Sequence, residues 1–324
     1  MATKDFNPFL FYSAQLQDLL KRASNQKNPA SWLYKNNART ILFMLESLTR
    51  IHDDAFDEKL FGKWNKRFKK LEDLFGEIDQ FASLENELKL NKKITKEIVK
   101  YFTVNTSNYL DKCNRRLIEK EWFRDKLKSF DYKLSEFDVE YNQGYLDDLK
   151  YSMIDEVESI LKFVKKSNYH FTKIEEEIHE LRRKLRWLSI YAQSLNGLIQ
   201  LKASGKKNKF QINYFTKDVL KSPYNIVPTR PKNTAIIEFD HDSFFALSWM
   251  IKELGSLKDK GLKVQKLSDA IFISEELTRE QANEKALKLL GLDMKTQENI
   301  LKQASELVEI FVVKDKILEK LIIE

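Results

Sequence analysis

Apolar residues recur along most of the chain at three- and four-residue intervals, the spacing of one face of an α-helix. Leu16, Leu19, Leu20 and Ala23 mark a first short amphipathic helix, closed by Asn28-Pro29. From Ser31 a longer helix carries Leu33, Ile41, Leu42, Leu45 and Leu48 and ends near His52-Asp53-Asp54. A third runs from about Asp57 through Trp64, Phe68, Leu71 and Leu74 to Gly76, and two more cover 92–104 and 106–130. The second half opens with a helix from Tyr145 to Lys166, followed by one over 171–201. Helices resume at Asp242, a suitable cap before Phe244, Phe245 and Leu247, and continue to the C-terminus with breaks near Ser274 and Gly291-Leu292-Asp293. The stretch 203–241 differs. It holds Ser204-Gly205, three of the five prolines and two alternating runs, Phe210–Phe215 and Ala235–Phe239, and reads as an irregular insertion with a short β-hairpin.

Composition narrows the class. The 324 residues include only 8 Gly and 5 Pro, where average usage would give roughly 39 of the two together. Sandwiches and barrels need frequent turns, and doubly wound α/β enzymes need Gly-rich loops, so both are disfavoured. The fold class expected is all-α. A boundary falls at 131–144, giving a first helical bundle over 1–135, a second over 145–265 with its insertion at 203–241, and a C-terminal helical extension over 266–324.

Charge changes the picture more. Lys and Arg number 56 against 49 Asp and Glu, a net charge of +7 that permits an anionic partner without demanding one. Its distribution is uneven. Ile178, Leu181, Leu185, Leu188, Ala192 and Leu195 form a buried seam, and His179, Arg182, Arg186, Ser189 and Gln193 lie about 100° further round. The arginines therefore flank the core, where they would line a groove, and Arg183 and Lys184 extend the charge. Glu175, Glu176 and Glu177 are possible internal partners, so these residues alone leave open both a solvated charged face and an anion site. Lys63, Lys66, Arg67 and Lys70 fall at i, i+3, i+4 and i+7 on one helix face, and Lys112, Arg115 and Arg116 make a third cluster. Arg forks and Lys point charges around one cavity would suit a polyphosphate chain.

The two halves also echo one another. Residues 68–79 and 247–259 each read as an amphipathic helix reaching a Gly (Gly76, Gly255) with an Asp following, and in each half another amphipathic helix precedes it. A duplicated helical unit would produce this pattern.

His179-x-x-Arg182-x-x-x-Arg186 on a basic helix resembles the signature of the CHAD domain, the conserved histidine α-helical domain, and Leu254-Gly255-x-x-x-Asp259 is similar to that family's second-helix ending. The resemblance covers roughly 10–265. It implies two pseudo-symmetric antiparallel helical bundles whose basic helices line a central channel binding inorganic polyphosphate. The first half departs from the pattern: Asn36 stands at the His position, Arg39 matches, Phe43 replaces the next basic residue, and Asp79 follows Gly76 where the family has Arg-Asp. The expected function is polyanion binding without catalysis, cofactor or metal, through His179, Arg182, Arg183, Arg186, Arg39, Lys63, Lys66, Arg67, Lys70, Arg115 and Arg116. Nucleic acid is a possible but less favoured ligand.

Other chemistries are weaker. Glu85-x-Glu87-x-Lys89 matches an ExExK motif that resembles the metal site of triphosphate tunnel enzymes, but it follows a helix rather than lying in a barrel strand. His52-Asp53 resembles the start of an HD phosphohydrolase site, which needs further converging ligands that His170, His179 and His241 do not supply at suitable spacing. Asp240-His241-Asp242 reads as a helix cap. The single cysteine, Cys113, excludes an internal disulfide, and its default reading is a buried inert thiol. No apolar run is long enough to span a bilayer, and Met1-Ala2-Thr3-Lys4-Asp5 lacks signal-peptide order, so a cytoplasmic protein without membrane contact is expected. A helical scaffold for a protein partner is the alternative to polyanion binding.

Overall fold

The computed structural model describes residues 7–56, 59–136, 141–203, 209–232 and 234–323. Thirteen α-helices account for most of these residues, and an all-α fold results. Asn7 and Pro8 start α1 (Pro8–Ala23): the Asn7 side chain accepts the free amides of Phe9 and Leu10, and proline loses nothing at a position whose N–H has no helical partner. Asn28 and Pro29 repeat the device for α2 (Pro29–Lys35).

The helix expected from Ser31 onward is in fact two. Asn37 adopts a left-handed backbone (φ 58°), which ends α2 and redirects the chain into α3 (Ala38–Phe56). Asn accepts that conformation at low cost, so the Asn36-Asn37 pair marks the break. Helix α4 (Lys59–Leu88) does not stop at Gly76 but continues for three more turns. The expected start at Asp57 lies outside the described residues. The segments 92–104 and 106–130 are instead α5 (Lys96–Glu119), continuous across 105, and α6 (Lys126–Glu136) after a turn at Glu121 (φ 55°). Of the expected boundary, 137–140 lie outside the described residues, and α7 (Gln143–Lys166) begins just beyond, capped by Asn142.

The region expected as one helix over 171–201 divides into three. A wide π-helical turn, Ile174–His179, leads into α8 (Glu180–Ser194), and the chain then extends as β1 (Ile199–Lys202). Asn196 (φ 48°) and Gly197 (φ 100°) end the helix; Gly197 is obligatory, because a Cβ there would lie 2.3 Å from the Thr229 carbonyl oxygen. The hairpin expected within 203–241 does not form. β2 (Ile237–Asp240) pairs with β1 in parallel, Ile199 opposite Ile237, so the insertion is a crossover between two strands; Ser204-Gly205 lie outside the described residues. Within it, Phe210–Phe215 is irregular, and a one-turn helix, α9 (Lys217–Leu220), and a 3-10 turn at Pro223–Asn225 interrupt the loop among the described residues.

The cap of α10 (His241–Ser274) is Asp240, two residues before the expected one; its carboxylate accepts from the amide and hydroxyl of Ser243. Gly255 lies inside α10, as Gly76 lies inside α4, which corrects both as helix ends. α11 (Arg279–Leu289) opens with a capping box at Thr278, and Gly291 (φ 67°) precedes α12 (Thr296–Glu309). The last helix, α13 (Ile317–Leu321), brings Ile322 against Phe239 on the free edge of β2.

Helix α3 is the hub, packing on α1, α4, α7 and α8. One hydrophobic core runs from Phe9 to Leu321, so the segments 1–135, 145–265 and 266–324 share an interior. Fully buried Phe61, Trp64, Phe68 and Phe130 anchor its first half and Tyr191, Phe239 and Phe244 its second; each contributes roughly 1.5–3 kcal/mol on burial. A smaller cluster, including Phe81, Phe102, Ile271 and Ala286, fastens the far ends of α4, α5, α10 and α11. No helix of the described residues is long and apolar enough to cross a membrane.

Candidate functional site

Helices α3 and α8 pack against each other, and α4 and α10 flank them. Each presents a polar face inward. On α3 these are Arg39, Phe43, Glu46 and Arg50, successive one-turn neighbours; on α8 they are Arg182, Arg183 and Arg186. The space between the four helices is a cavity of about 1300 Å³. Eleven Lys or Arg and nine Asp or Glu side chains line it, so its wall is mixed rather than uniformly positive.

Pairing decides where net charge remains. The Arg39 guanidinium donates to Glu72 (2.7 Å) and Asp79 (3.0 Å), and the Tyr34 hydroxyl donates to the other Asp79 oxygen. Lys69 pairs with Asp73, Lys258 with Asp259, Lys263 with Glu87 and Arg183 with Glu180. His179 Nδ1 lies 2.7 Å from Glu175. Arg182, Lys184, Arg186, Lys260 and Lys266 have no ion pair among the described residues, whereas Glu46 and Glu77 are the lining acids without one. Surplus positive charge therefore sits on the α8 and α10 side.

Arg186 is the centre of this surplus. Among the described residues its guanidinium makes no hydrogen bond or ion pair; it stacks on Phe43, 4.7 Å from the ring centroid, while Arg39 approaches the same ring at 5.3 Å. Burial, with Arg182 and Arg39 close by, pulls its pKa down to about 10, and Glu72 and Glu46 only partly compensate. Arg182 is pulled down by burial too, and its Nε–H donates to the Ile251 carbonyl (3.0 Å) instead of to a carboxylate. Opposite them, burial and the neighbouring Glu72 push the Glu46 carboxyl up to about 7. Glu46 is 3% exposed, and its Oε2 has no hydrogen-bond partner among the described residues.

The glycines inside α4 and α10 belong to this site. A Cβ on Gly76 would lie 2.9 Å from an Arg39 guanidinium nitrogen, and one on Gly255 would lie 2.8 Å from Arg182 Nε. Each Gly thus leaves space for an arginine from the preceding basic helix to lie across its own. Arg50, also on the cavity wall, is locked by a network with two buried partners. It donates to the Tyr191 hydroxyl and to Glu156, and Tyr191 in turn donates to Glu156 at 2.7 Å, joining α3, α7 and α8.

The candidate residues divide between places. Arg39, His179, Arg182, Arg183 and Arg186 meet in the cavity. Lys63, Lys66, Arg67, Lys70, Arg115 and Arg116 do not line it; Lys70, Arg115 and Arg116, with Lys112, line a separate cleft between α4 and α5. Glu85 and Glu87 lie in the last turn of α4, on a helix surface. His52 is wholly buried among Phe9, Phe56, Phe61 and Tyr145, its Nδ1 bonded to the Leu48 carbonyl, and burial pulls it down to about 3. Among the described residues no three His, Cys, Asp or Glu converge at metal-binding distance. Cys113 is buried and pushed up to about 12 by that burial, which keeps it a thiol. Sequence reasoning missed Glu46, Lys260 and Lys266. Glu46 was detectable as a carboxylate seven residues after Arg39, between the core residues Leu45, Ser47 and Leu48. Comparison with family models, curated proteins and solved structures finds no match to this chain.

Proposed function

We propose that the protein is a CHAD-like polyanion-binding module that holds inorganic polyphosphate in the central cavity and performs no reaction on it. The observation that carries this reading is Arg186: a half-buried cation beside a second cation, with no carboxylate in ion-pair contact among the described residues, facing a cavity of about 1300 Å³. A partly desolvated charge without a paired counter-ion is costly, and an anion bound there would offset that cost. Arg182, Lys184, Lys260 and Lys266 supply the further positive charge that a chain of phosphates needs.

Two further features support the resemblance. The Arg39–Gly76 and Arg182–Gly255 contacts match residue for residue in the two halves. Under the same alignment Phe43 corresponds to Arg186, and these two side chains touch each other. Contact between equivalent positions is what a two-fold axis produces, so we read the chain as a duplicated helical unit. The first half has neutralised its arginine with Glu72 and Asp79, which leaves the second half as the main binding half.

The test is calorimetric titration with polyphosphate of defined length. Binding at low salt should weaken steeply as salt rises. Arg186→Ala should weaken it at least about tenfold, since a charge-assisted contact contributes about 1.5–3 kcal/mol. Absence of binding at low salt would refute the proposal.

A further inference from the structure

The outward face of α4 carries Lys63, Lys66, Arg67 and Lys70, one above another, and none of them has an ion pair among the described residues. Helix α5 packs alongside and adds Lys112, Arg115 and Arg116, also without ion pairs. Lys70 and the three α5 cations line a cleft of about 580 Å³. Three acids share it: Asp73 is paired with Lys69, while Glu77, which accepts from the Tyr109 hydroxyl, and Glu119 have no ion pair among the described residues. The excess is felt nearby: burial and then Arg67, with Lys120 and Arg116, push the Lys126 ammonium down, against the pull of Glu121.

Lys63 and Lys70 lie about 10 Å apart along α4, and α5 adds a second row, so the cations are spread too far for a single phosphate or carboxylate to engage them all. They fit an extended polyanion. The cleft also contains an aromatic ring. Tyr109 lines it, stacked on Phe81 (5.5 Å, interplanar angle 21°) and covered by the exposed Lys112 side chain, whose ammonium lies over the ring 5.6 Å from its centroid and would have to swing aside to admit a base. The Tyr109 hydroxyl is engaged by Glu77, and bare polyphosphate has nothing to place against the ring face, whereas a nucleotide strand has a base; cationic rows with an aromatic platform are how proteins hold single strands without reading sequence. We propose that the α4–α5 cleft binds single-stranded nucleic acid, its phosphates on the two basic rows and a base against Tyr109. Asp73 and Glu77 form a ridge that borders both this cleft and the central cavity, so the two sites occupy adjacent faces of α4.

The experiment is fluorescence anisotropy of the full chain with short labelled oligouridylate and oligothymidylate. Both should bind, since backbone and stacking are common to RNA and DNA. Four phosphate contacts would cost roughly 50-fold in affinity between about 50 and 200 mM salt. The exposed pair Lys112→Glu/Arg115→Glu should weaken binding at least about tenfold, and Tyr109→Leu about tenfold. Arg186→Ala should leave it unchanged. If the reversal variant fails to fold, Lys112→Gln/Arg115→Gln carries the same test. Oligonucleotide binding that survives the charge changes, or that disappears with Arg186→Ala, overturns the proposal. So does a double variant that loses polyphosphate but keeps oligonucleotide, which would make the cleft a polyphosphate surface.

Discussion

Arg186 and Glu46 line the same cavity, and burial works against the charged form of each. For Glu46 this has a thermodynamic sign. The unfolded chain releases its proton near 4.5 and the folded chain near 7, so the folded state binds more protons across that window. Stability therefore falls as pH rises from 4.5 to 7, by about 3 kcal/mol at ~1.4 kcal/mol per unit. His52 acts oppositely. Its pKa drops from 6.5 to about 3 on folding, so the unfolded state binds the proton first and stability falls as pH drops through that range. Between 4.5 and 6.5 the two slopes offset each other. We expect Glu46→Gln to expose the His52 slope: the variant's thermal midpoint should climb from pH 4.5 to 6.5 and exceed the wild type at pH 8. Identical pH profiles for the two proteins would refute the assignment. The residue pattern places Glu46 among core positions of α3 but does not reveal how deeply its carboxylate is buried, because that is decided by α4 and α8, which approach it from distant parts of the chain.

At the scale of elements, the informative positions are the glycines. Gly76 and Gly255 look like helix ends because glycine commonly sits there. Tertiary contact overrides that prior, since each lies mid-helix beneath an arginine. Gly255→Ala tests this. Alanine gains about 1 kcal/mol in helix propensity, while its Cβ displaces Arg182 and breaks the bond to the Ile251 carbonyl, a loss of similar size. Stability should change by less than about 1 kcal/mol, whereas polyphosphate affinity should fall several-fold because Arg182 moves. Unfolding data paired with the titration check both halves, and unchanged affinity would mean that Arg182 does not contact the ligand. Other elements were legible for local reasons. Asn142 announces α7, and Asn28-Pro29 announces α2. The β1–β2 pairing was not, because a parallel ladder depends on residues 38 positions apart (Ile199 and Ile237) and leaves no turn signature between them.

For the whole molecule, composition predicted the helical class, and the shared core shows how far the parts depend on one another. Ala304, Val308, Phe311, Ile317, Leu318 and Leu321 are buried in the same cluster as Phe9 and Trp64. Removing residues 296–324 should therefore destabilise the entire chain rather than trim an appendage. Differential scanning calorimetry should show a lower, broader transition, and a truncated protein melting like the full chain would establish the segment as independent. The basic stripes were readable as stripes, but which of them converge was not. The turns at Asn37 and Glu121 set how α3, α5 and α6 follow one another, and that arrangement places Arg115 outside the cavity and Arg39 inside it.

The strand pair also bears on timing during synthesis. β2 is flanked on one edge by β1 and on the other by Ile322, whose neighbour Ile323 donates to the Glu238 carbonyl. The β2 edge of the ladder therefore stays open until the chain has been made through residue 323. An open edge is a template for pairing with other chains, and contacts between distant segments form slowly. The nascent protein is thus most exposed to misassembly after its basic helices have emerged and before α13 has closed over β2, which is the interval in which a chaperone would be of most use.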